Sequence, residues 1–210
     1  DQPRSRGLGD VYKRQVADCL NKISVSSRHL LSLINDILDM SKIESSQIKL
    51  NNMKIYLPDL LDQLSAIMSP QARDAGLQLT ISTEGIKHKY FYGDSLRSNQ
   101  ILINILSNAV KYTAGRENGK IRIYSGRTDK GETVIVEDNG IGIRREDIPR
   151  VFEWGYTGYN GRREKRSTGI GLFLCRQVMD MLGQSIEIES EEGKGTRVIL
   201  GVSRKKFDME

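Results

Sequence analysis

The apolar positions of the chain first form a heptad pattern, between residues 16 and 41. They are four and three positions apart in strict alternation, at Val16, Leu20, Ile23, Ser27, Leu30, Ile34, Ile37 and Ser41. Leu31 and Leu38 widen this stripe. The spacing predicts a long amphipathic helix over residues 16–45 whose seam faces another helix. Because a lone helix with an exposed seam is marginal in water, we expect a helix of the parent protein or of a second subunit to cover it.

Residues 1–15 show no apolar periodicity and contain Pro3, Gly7, Gly9 and four basic residues. We interpret them as a disordered or foreign leader and leave them out of the fold. The predicted boundaries are therefore a leader at residues 1–15, a helix at residues 16–45 and a folded domain at residues 46–210.

From residue 46 onward, alternating apolar runs are interleaved with runs of helical spacing. The alternation predicts strands near residues 48–55, 77–81, 90–92, 121–124, 133–136, 186–188 and 196–202. The helical spacing predicts a helix opened by Pro58, a helix at residues 94–113, a short helix at residues 147–152 and a helix that runs to Met181. The stretch at residues 155–166 is polar and punctuated by glycine, which predicts a loop.

The helix predicted at residues 94–113 carries a polar stripe beside its apolar one. Asp94 follows a glycine and stands where an N-cap residue is expected. Asn104, Asn108 and Lys111 are four and three residues apart, so they share one helix face. Asparagine is a mediocre helix former, and two of them among isoleucines and leucines have two interpretations. Either the stripe faces solvent, or it lines a pocket with amide oxygens for a hard cation and an ammonium for a phosphate.

Composition narrows the classes of protein. A chain of 210 residues and 23.7 kDa has room for one domain and an appendage, and a hydrophobic content of 38% is typical of a soluble globular protein. No stretch is long and apolar enough to cross a bilayer. The net charge of +5 is scattered, which argues against a nucleic-acid platform. Cys19 and Cys175 lack metal-ligand spacing and favour a reducing compartment, so we expect a cytoplasmic domain whose parent protein carries any membrane anchor.

Three glycine pairs occur in order, Gly140 with Gly142, Gly169 with Gly171, and Gly193 with Gly195. They match neither a P-loop nor a Rossmann fingerprint. The second pair opens a predicted helix, where free backbone N–H groups favour an anion such as a phosphate. Asp138 ends a predicted buried strand just before the first pair, where it is either a turn aspartate or an acceptor for an exocyclic amine such as that of adenine.

These motifs together resemble those of sensor histidine kinases of the GHKL superfamily. The resembling segments are the N box at residues 104–113, the first glycine box at 137–143, the F box at 151–154, the second glycine box at 167–172 and the closing turn at 193–196. The heptad helix, which ends in LINDILDMSKIE, is similar to the second helix of the dimerisation and phosphotransfer domain. The resemblance implies an α+β Bergerat fold, a two-layer α/β sandwich with helices on one face of a mixed sheet, preceded by a long heptad helix.

The resemblance also implies the binding of ATP and Mg2+ and a role for each matching residue. Asn108 supplies an oxygen to the metal, with Asn104 beside it, while Lys111 faces the phosphates and Tyr112 packs near the adenine. Asp138 accepts from the adenine amine. The other implied ATP-binding residues shape the base pocket or cradle the phosphates, and they are Gly140, Gly142, Ile143, Arg166, Thr168, Gly169, Gly171, Leu172 and Thr196. Residues 155–166 correspond to the family's lid.

Asn104 separates two chemistries within the superfamily. The gyrase-type and chaperone-type ATPases carry a glutamate at this position to activate water, and an amide cannot replace it as a general base. The sequence therefore favours donation of the γ-phosphoryl group to a histidine nucleophile over hydrolysis. The alternatives are a degenerate ATP-binding or docking module without phosphotransfer and a GHKL-type ATPase.

The sequence departs from the family pattern at two places. Ser167 stands where the second glycine box commonly begins with glycine. No phosphoacceptor H box occurs, and His29 beside the heptad seam lacks the acidic residue that would follow such a histidine, so we assign no catalytic residue and interpret His29 as structural. The implied partners are a phosphotransfer-domain helix of the same or a second subunit and a downstream response regulator, with a homodimer expected in the parent protein.

Overall fold

The computed structural model describes residues 4–44, 50–82, 89–129, 131–159, 161 and 168–203. The chain divides into two compact units, Asp1–Gln47 and Ile48–Glu210. The first unit contains one helix, α1 (Arg4–Glu44), which begins before the predicted start at residue 16. The large apolar side chains of the heptad seam are all exposed on it: Val16, Leu20, Ile23, Leu30, Ile34 and Ile37. Within the described residues, no helix has both the length and the apolar character needed to cross a bilayer.

The second unit is an α+β sandwich, as predicted. Its strands are β1 (Met53–Tyr56), β2 (Gln78–Ile81), β3 (Tyr90–Gly93), β4 (Lys120–Thr128), β5 (Gly131–Asp138), β6 (Ile186–Glu191) and β7 (Gly195–Gly201). Its helices are α2 (Leu57–Asp74), α3 (Ser95–Thr113) and α4 (Gly171–Met181), with a 3₁₀ turn at Ile148–Arg150. The strands β1 and β3 form a small antiparallel sheet.

The main sheet has five strands in the order β2-β4-β5-β7-β6. It is mixed, because β2 runs parallel to β4 whereas the other pairs are antiparallel. The helices α2, α3 and α4 contact the sheet and one another to form the second layer. The sandwich with helices packed on a mixed sheet is therefore confirmed.

The helix α3 forms where the sequence predicts it, and Asp94 is its N-cap. The Asp94 Oδ1 atom accepts a hydrogen bond from the Arg97 backbone N–H at 3.0 Å, which satisfies one of the free donors at the helix start. Its Oδ2 atom accepts from the Asn51 backbone N–H at 2.8 Å. One buried carboxylate thus fixes the start of α3 and ties the chain segment before β1 to it.

The core lies between the helices and the sheet. Most of its largest fully buried side chains come from α2, α3 and β4, and the others follow α4 or begin β6: Leu61, Leu64, Met68, Ile105, Leu106, Ile121, Ile123, Leu182 and Ile186. Charged residues of alternating sign occupy neighbouring positions on four strands, from Arg122 through Glu137 and Arg197 to Glu189. Arg122 and Glu137 are 3.1 Å apart and Arg197 and Glu189 are 2.8 Å apart. Such exposed pairs contribute little stability individually, so burial against the helices holds the sheet.

Residues 158, 159 and 161, inside the stretch predicted to be a loop, are helical. The structure differs from the sequence prediction in two further local details. The helix expected at residues 147–152 is only the 3₁₀ turn at Ile148–Arg150, which contains Pro149. The strands β4 and β5 are longer than their apolar runs, because charged and glycine residues at both ends continue the antiparallel ladder. Neither difference moves the elements that carry the glycine pairs.

We predict that Leu106→Ala lowers the free energy of unfolding by about 2–5 kcal/mol, because truncating a fully buried leucine leaves a cavity. Leu96→Ala is the matched control on the same helix, since Leu96 is 72% exposed while Leu106 is 0% exposed. The control should change stability by less than about 0.5 kcal/mol. Urea unfolding monitored by circular dichroism measures both variants, and equal losses would contradict the assigned packing of α3.

Candidate functional site

The polar stripe of α3 borders the start of α4. Asn104, Asn108 and Lys111 are half-buried on α3. A Cβ atom built on Gly171, the first residue of α4, would lie 3.8 Å from Asn104 Cγ and 3.9 Å from its Nδ2. The Lys111 ammonium lies 5.0 Å from the centroid of the Tyr112 ring. At its Asn104 end, the stripe therefore adjoins another helix rather than open solvent.

The start of α4 is built by two close backbone contacts. Gly169 has a φ of +70°, and a Cβ atom there would lie 2.4 Å from the carbonyl carbon of Gly155. The Gly155 N–H donates to the Gly169 carbonyl at 3.2 Å, and the Thr168 hydroxyl accepts from the Ile170 N–H at 3.3 Å. After this turn the helix begins at Gly171, followed by Leu172. The first backbone N–H groups of a helix have no intrahelical partner and attract anions, so this turn presents an anion-binding terminus beside Asn104.

Asp138 lies at the other end of the candidate site, where β5 ends. Its Oδ1 atom accepts from the Gly140 N–H at 2.8 Å and from the Thr196 N–H at 3.3 Å. Burial raises the pKa of Asp138 above its ordinary value, against the lowering effect of these two hydrogen bonds and of the Thr113 hydroxyl. Both backbone hydrogen bonds end on the Oδ1 atom of Asp138.

Glycines allow three segments to meet around Asp138. A Cβ atom on Gly140 would lie 2.5 Å from the Tyr112 carbonyl oxygen, one on Gly142 would lie 2.0 Å from the Glu191 carbonyl oxygen, and one on Gly195 would lie 2.0 Å from the Asp138 carbonyl oxygen. No side chain fits at such distances, so the backbone of the loop after β5 packs directly on the end of α3 and on the β6–β7 turn.

Hydrogen bonds join the remaining predicted residues of this end. The Ile143 N–H donates to Ser190 Oγ at 2.9 Å, and the Ser190 hydroxyl lies 3.0 Å from the Thr196 hydroxyl. The Ile141 N–H donates to the Tyr112 carbonyl at 3.0 Å. The structure thus brings predicted residues together in two groups, one around Asp138 and one around the start of α4, to which α3 contributes Tyr112 and Asn104. Asn108 and Lys111 are placed on the same stripe of α3 as Asn104, and their roles stay predictions.

Three residues of this region were not predicted from the sequence. The Arg116 guanidinium donates to the Gly140 carbonyl at 2.7 Å and also to the Gly193 carbonyl, which links the first and third glycine pairs. Ser190 bridges Ile143 and Thr196, and the Thr113 side chain is fully buried next to Asp138. Arg116 lies in a loop and Ser190 on an acidic strand, where such residues normally face water, so the sequence held no signal for them.

Part of the predicted site cannot be placed. Arg166 and Ser167 lie outside the described residues, as do residues 160 and 162–165 of the predicted lid. Over the residues that are described, no group of three or more His, Cys, Asp and Glu side chains is arranged to hold a metal.

Comparison with known proteins identifies the domain. Residues 93–206 match the family model described as histidine kinase-, DNA gyrase B-, and HSP90-like ATPase. The sensor histidine kinase YclK of Bacillus subtilis is 35% identical over 184 residues, which are 87% of this chain and 38% of YclK. The chain spans between a fifth and two fifths of the length of the first curated relatives that it matches.

Two solved structures share the fold. Full-length ShkA in complex with AMPPNP has a TM-score of 0.73 at 24% identity, covering 91% of this chain and 40% of that one. The histidine kinase ThkA in complex with the response regulator protein TrrA has a TM-score of 0.67 at 23% identity, covering 98% of this chain and 53% of that one. With the family model matching more than half of the chain, this protein belongs to the histidine kinase-, DNA gyrase B- and HSP90-like ATPases, as a catalytic domain of the sensor histidine kinase type.

Proposed function

We propose that this domain binds ATP with Mg2+ and donates the γ-phosphoryl group to a histidine of a phosphotransfer domain. The proposal rests mainly on one observation, that the start of α4 approaches the amide stripe of α3. A Cβ atom built on Gly171 would lie only 3.8 Å from Asn104 Cγ. An anion-binding helix terminus beside amide oxygens is suited to a triphosphate and its metal. The complex of the structural neighbour ShkA with AMPPNP supports this choice of ligand.

We assign the base to the Asp138 end of the site. A carboxylate Oδ2 accepts a hydrogen bond from the exocyclic amine of adenine, while Gly140, Gly142 and Ile143 line the ring and Thr196 closes the pocket. The raised pKa of Asp138 reflects a low-dielectric surrounding, in which a hydrogen bond to a charged acceptor is strong. Tyr112, at the end of α3 beside the Ile141 loop, packs near the same ring.

We assign the phosphates to the α4 end. Thr168, Gly169, Gly171 and Leu172 offer backbone N–H groups, and Lys111 adds positive charge from α3. The Asn108 amide oxygen is a hard ligand of the kind that Mg2+ prefers, and the metal, when bound, neutralises charge on the transferred phosphoryl group. Arg166, from the lid sequence, is proposed to meet the terminal phosphate.

The residue at position 104 distinguishes ATP hydrolysis from phosphoryl transfer to a histidine within the family. At neutral pH the Asn104 amide cannot take a proton from water, so the domain holds ATP without a base for hydrolysis. Catalysis then consists of positioning and charge neutralisation toward an incoming histidine nucleophile. That histidine is proposed to come from a phosphotransfer helix of the same or a second subunit in a cytoplasmic homodimer. A response regulator receives the phosphoryl group, in line with the complex of ThkA with TrrA.

The exposed seam of α1 favours a second candidate function. Its apolar residues from Val16 to Ile37 are open on the first unit, as a surface for another helix would be. A module that docks partners through this seam and binds ATP without transferring phosphate would share the family fold. The two functions differ in what happens to the γ-phosphoryl group.

We predict that Asn108→Ala weakens ATP binding at least about tenfold in the presence of Mg2+, because a direct ligand of the metal is lost. In EDTA the variant and the wild type should bind ATP equally. Ser107→Ala, an exposed neighbour on the same helix, is the control and should retain wild-type affinity in both conditions. Isothermal titration calorimetry measures all three proteins in both conditions, and an unchanged dependence on Mg2+ in Asn108→Ala would remove this residue from the metal site.

We predict that ATP affinity falls as the pH drops through the raised pKa of Asp138, because protonation removes the acceptor for the adenine amine. The loss should approach about tenfold per pH unit below that pKa and should begin above the range of an ordinary carboxyl group. The stability of the domain without nucleotide should change with pH in the opposite direction to the ATP affinity. Since the folded-state pKa is raised, the folded form binds the proton more tightly, and this group makes the free energy of unfolding rise as the pH falls.

Asp138→Asn separates this titration from other groups. The variant should bind ATP weakly at every pH and should lose the Asp138 component of both pH profiles. Nucleotide titration and thermal unfolding from pH 8 down through the ordinary carboxyl range, to about pH 4, measure the two effects. A wild-type affinity profile that matches that of the variant would contradict the assignment of Asp138 to adenine.

We predict that the chain transfers radiolabelled γ-phosphate from ATP to a separate phosphotransfer domain with an intact H box, and that it shows no appreciable steady-state ATP hydrolysis alone. The reason is that Asn104 leaves hydrolysis without a base. Binding of ATP without transfer would favour the docking module. Sustained hydrolysis by the chain alone would favour an ATPase of the gyrase or chaperone type.

A further inference from the structure

Asp147 is a buried carboxylate that the nucleotide site does not use directly. It is 8% exposed and holds the N-cap position of the 3₁₀ turn at Ile148–Arg150. An aspartate at such a position normally accepts a hydrogen bond from its own helix start, yet the Asp147 side chain makes no capping hydrogen bond. Burying a carboxylate is costly unless other donors satisfy it, so its partners elsewhere indicate its role.

Two donors to the carboxylate oxygens of Asp147 come from one segment, residues 155–159. The Tyr156 hydroxyl donates to Asp147 Oδ1 at 2.5 Å, and the Tyr159 backbone N–H donates to Oδ2 at 3.1 Å. Between them, Gly158 has a φ of +59°, and a Cβ atom there would lie 3.1 Å from Asp147 Oδ2. The segment is therefore wrapped around one carboxylate, with a glycine at the point where a side chain would crowd it.

Two arginines stack on the two tyrosine rings of the same segment. The Arg150 guanidinium lies 4.2 Å from the Tyr156 ring centroid and the Arg144 guanidinium lies 3.5 Å from the Tyr159 ring centroid. Arg144 also reaches Glu192 at 3.3 Å in the β6–β7 turn. A cation stacked on an aromatic ring is electrostatically favourable, so these contacts restrain both tyrosine rings.

The start of the segment touches the turn that begins α4. A Cβ atom on Gly169 would lie 2.4 Å from the Gly155 carbonyl carbon and 2.6 Å from the Tyr156 nitrogen. The Gly155 N–H bonds to the Gly169 carbonyl at 3.2 Å, and the Tyr156 N–H bonds to the Glu153 carbonyl at 3.2 Å. Any shift of Tyr156 thus moves the backbone against which Gly169 is packed.

We propose that Asp147 is a positioning residue for the phosphates of the nucleotide. Through Tyr156 and Tyr159 it fixes residues 155–159, and through Gly155 it holds Gly169 in the conformation that aims the first N–H groups of α4 at a phosphate. The contacts of Asp138 with Gly140 and Thr196 do not pass through this segment. Asp147 therefore strengthens binding of the phosphates and leaves recognition of the base unchanged. This inference rests on the proposed function.

The test is Asp147→Asn, titrated separately with adenosine and with ATP and Mg2+. An amide has one acceptor oxygen, whereas the two donors approach different oxygens of Asp147, so one hydrogen bond is lost in either orientation of the amide. We expect ATP affinity to fall about tenfold, the scale of one lost hydrogen bond to a charged group, while adenosine affinity stays within about twofold. Tyr156→Phe removes the hydroxyl donor alone and should give a smaller loss with the same selectivity for ATP.

Asp94→Asn is the matched control. Asp94 is also 8% exposed and also accepts two backbone N–H groups on its two oxygens, but it does so at the start of α3. This control should lower the melting temperature and leave the ratio of ATP affinity to adenosine affinity at the wild-type value. If Asp147→Asn fails to fold, the ratio of ATP affinity to adenosine affinity in Tyr156→Phe tests the role of Asp147 instead.

The outcomes are distinguishable from failure of the proposed function. A wild-type chain that does not bind ATP would overturn the proposed function itself. A wild-type chain that binds ATP, together with variants whose affinities for ATP and adenosine fall equally or not at all, would overturn the role of Asp147 alone. A loss confined to ATP supports it.

Discussion

The close seating of the α4 start against α3 is the constraint on which the rest of the domain depends. A Cβ atom built on Gly171 at the start of α4 would lie 3.8 Å from Asn104 Cγ, and Gly169 brings the preceding turn onto the backbone of Gly155. A side chain at Gly169 would force these segments apart. Because the Asp94 cap and the buried leucines and isoleucines fix α3 on the sheet, its polar stripe meets α4 at a defined place.

A second set of close contacts builds the opposite end in the same way. The loop after β5 lies against the end of α3 through Gly140 and against the β6–β7 turn through Gly142, while Gly195 packs on the Asp138 carbonyl. Arg116 joins two of these loops from outside. The result is a partly buried carboxylate at the end of a central strand, whose pKa is raised because the packed backbone excludes water.

The sequence predicted the elements and residues whose signal is local. The Asp94 cap, the apolar run of β5 just before Asp138 and the helical spacing of α3 are visible within a few residues, and all three are present in the structure. The residues that could not be predicted act over long distances along the chain. Arg116 bonds to a carbonyl 77 residues away, and Ser190 meets Ile143 across 47 residues, so no local pattern marks either of them. In the sequence, Asp147 stands at the start of a predicted short helix. Only the fold shows that its carboxylate accepts hydrogen bonds from Tyr156 and Tyr159.

The proposed phosphotransfer requires one nucleotide to be held between α3 and α4. The most direct measurement is a crystal structure of the chain with Mg2+ and a nonhydrolysable ATP analogue. We expect the triphosphate to lie between Asn108 and residues 168–172, with the adenine amine within hydrogen-bond distance of Asp138 Oδ2. A nucleotide bound elsewhere, or one whose triphosphate points away from the start of α4, would contradict the account.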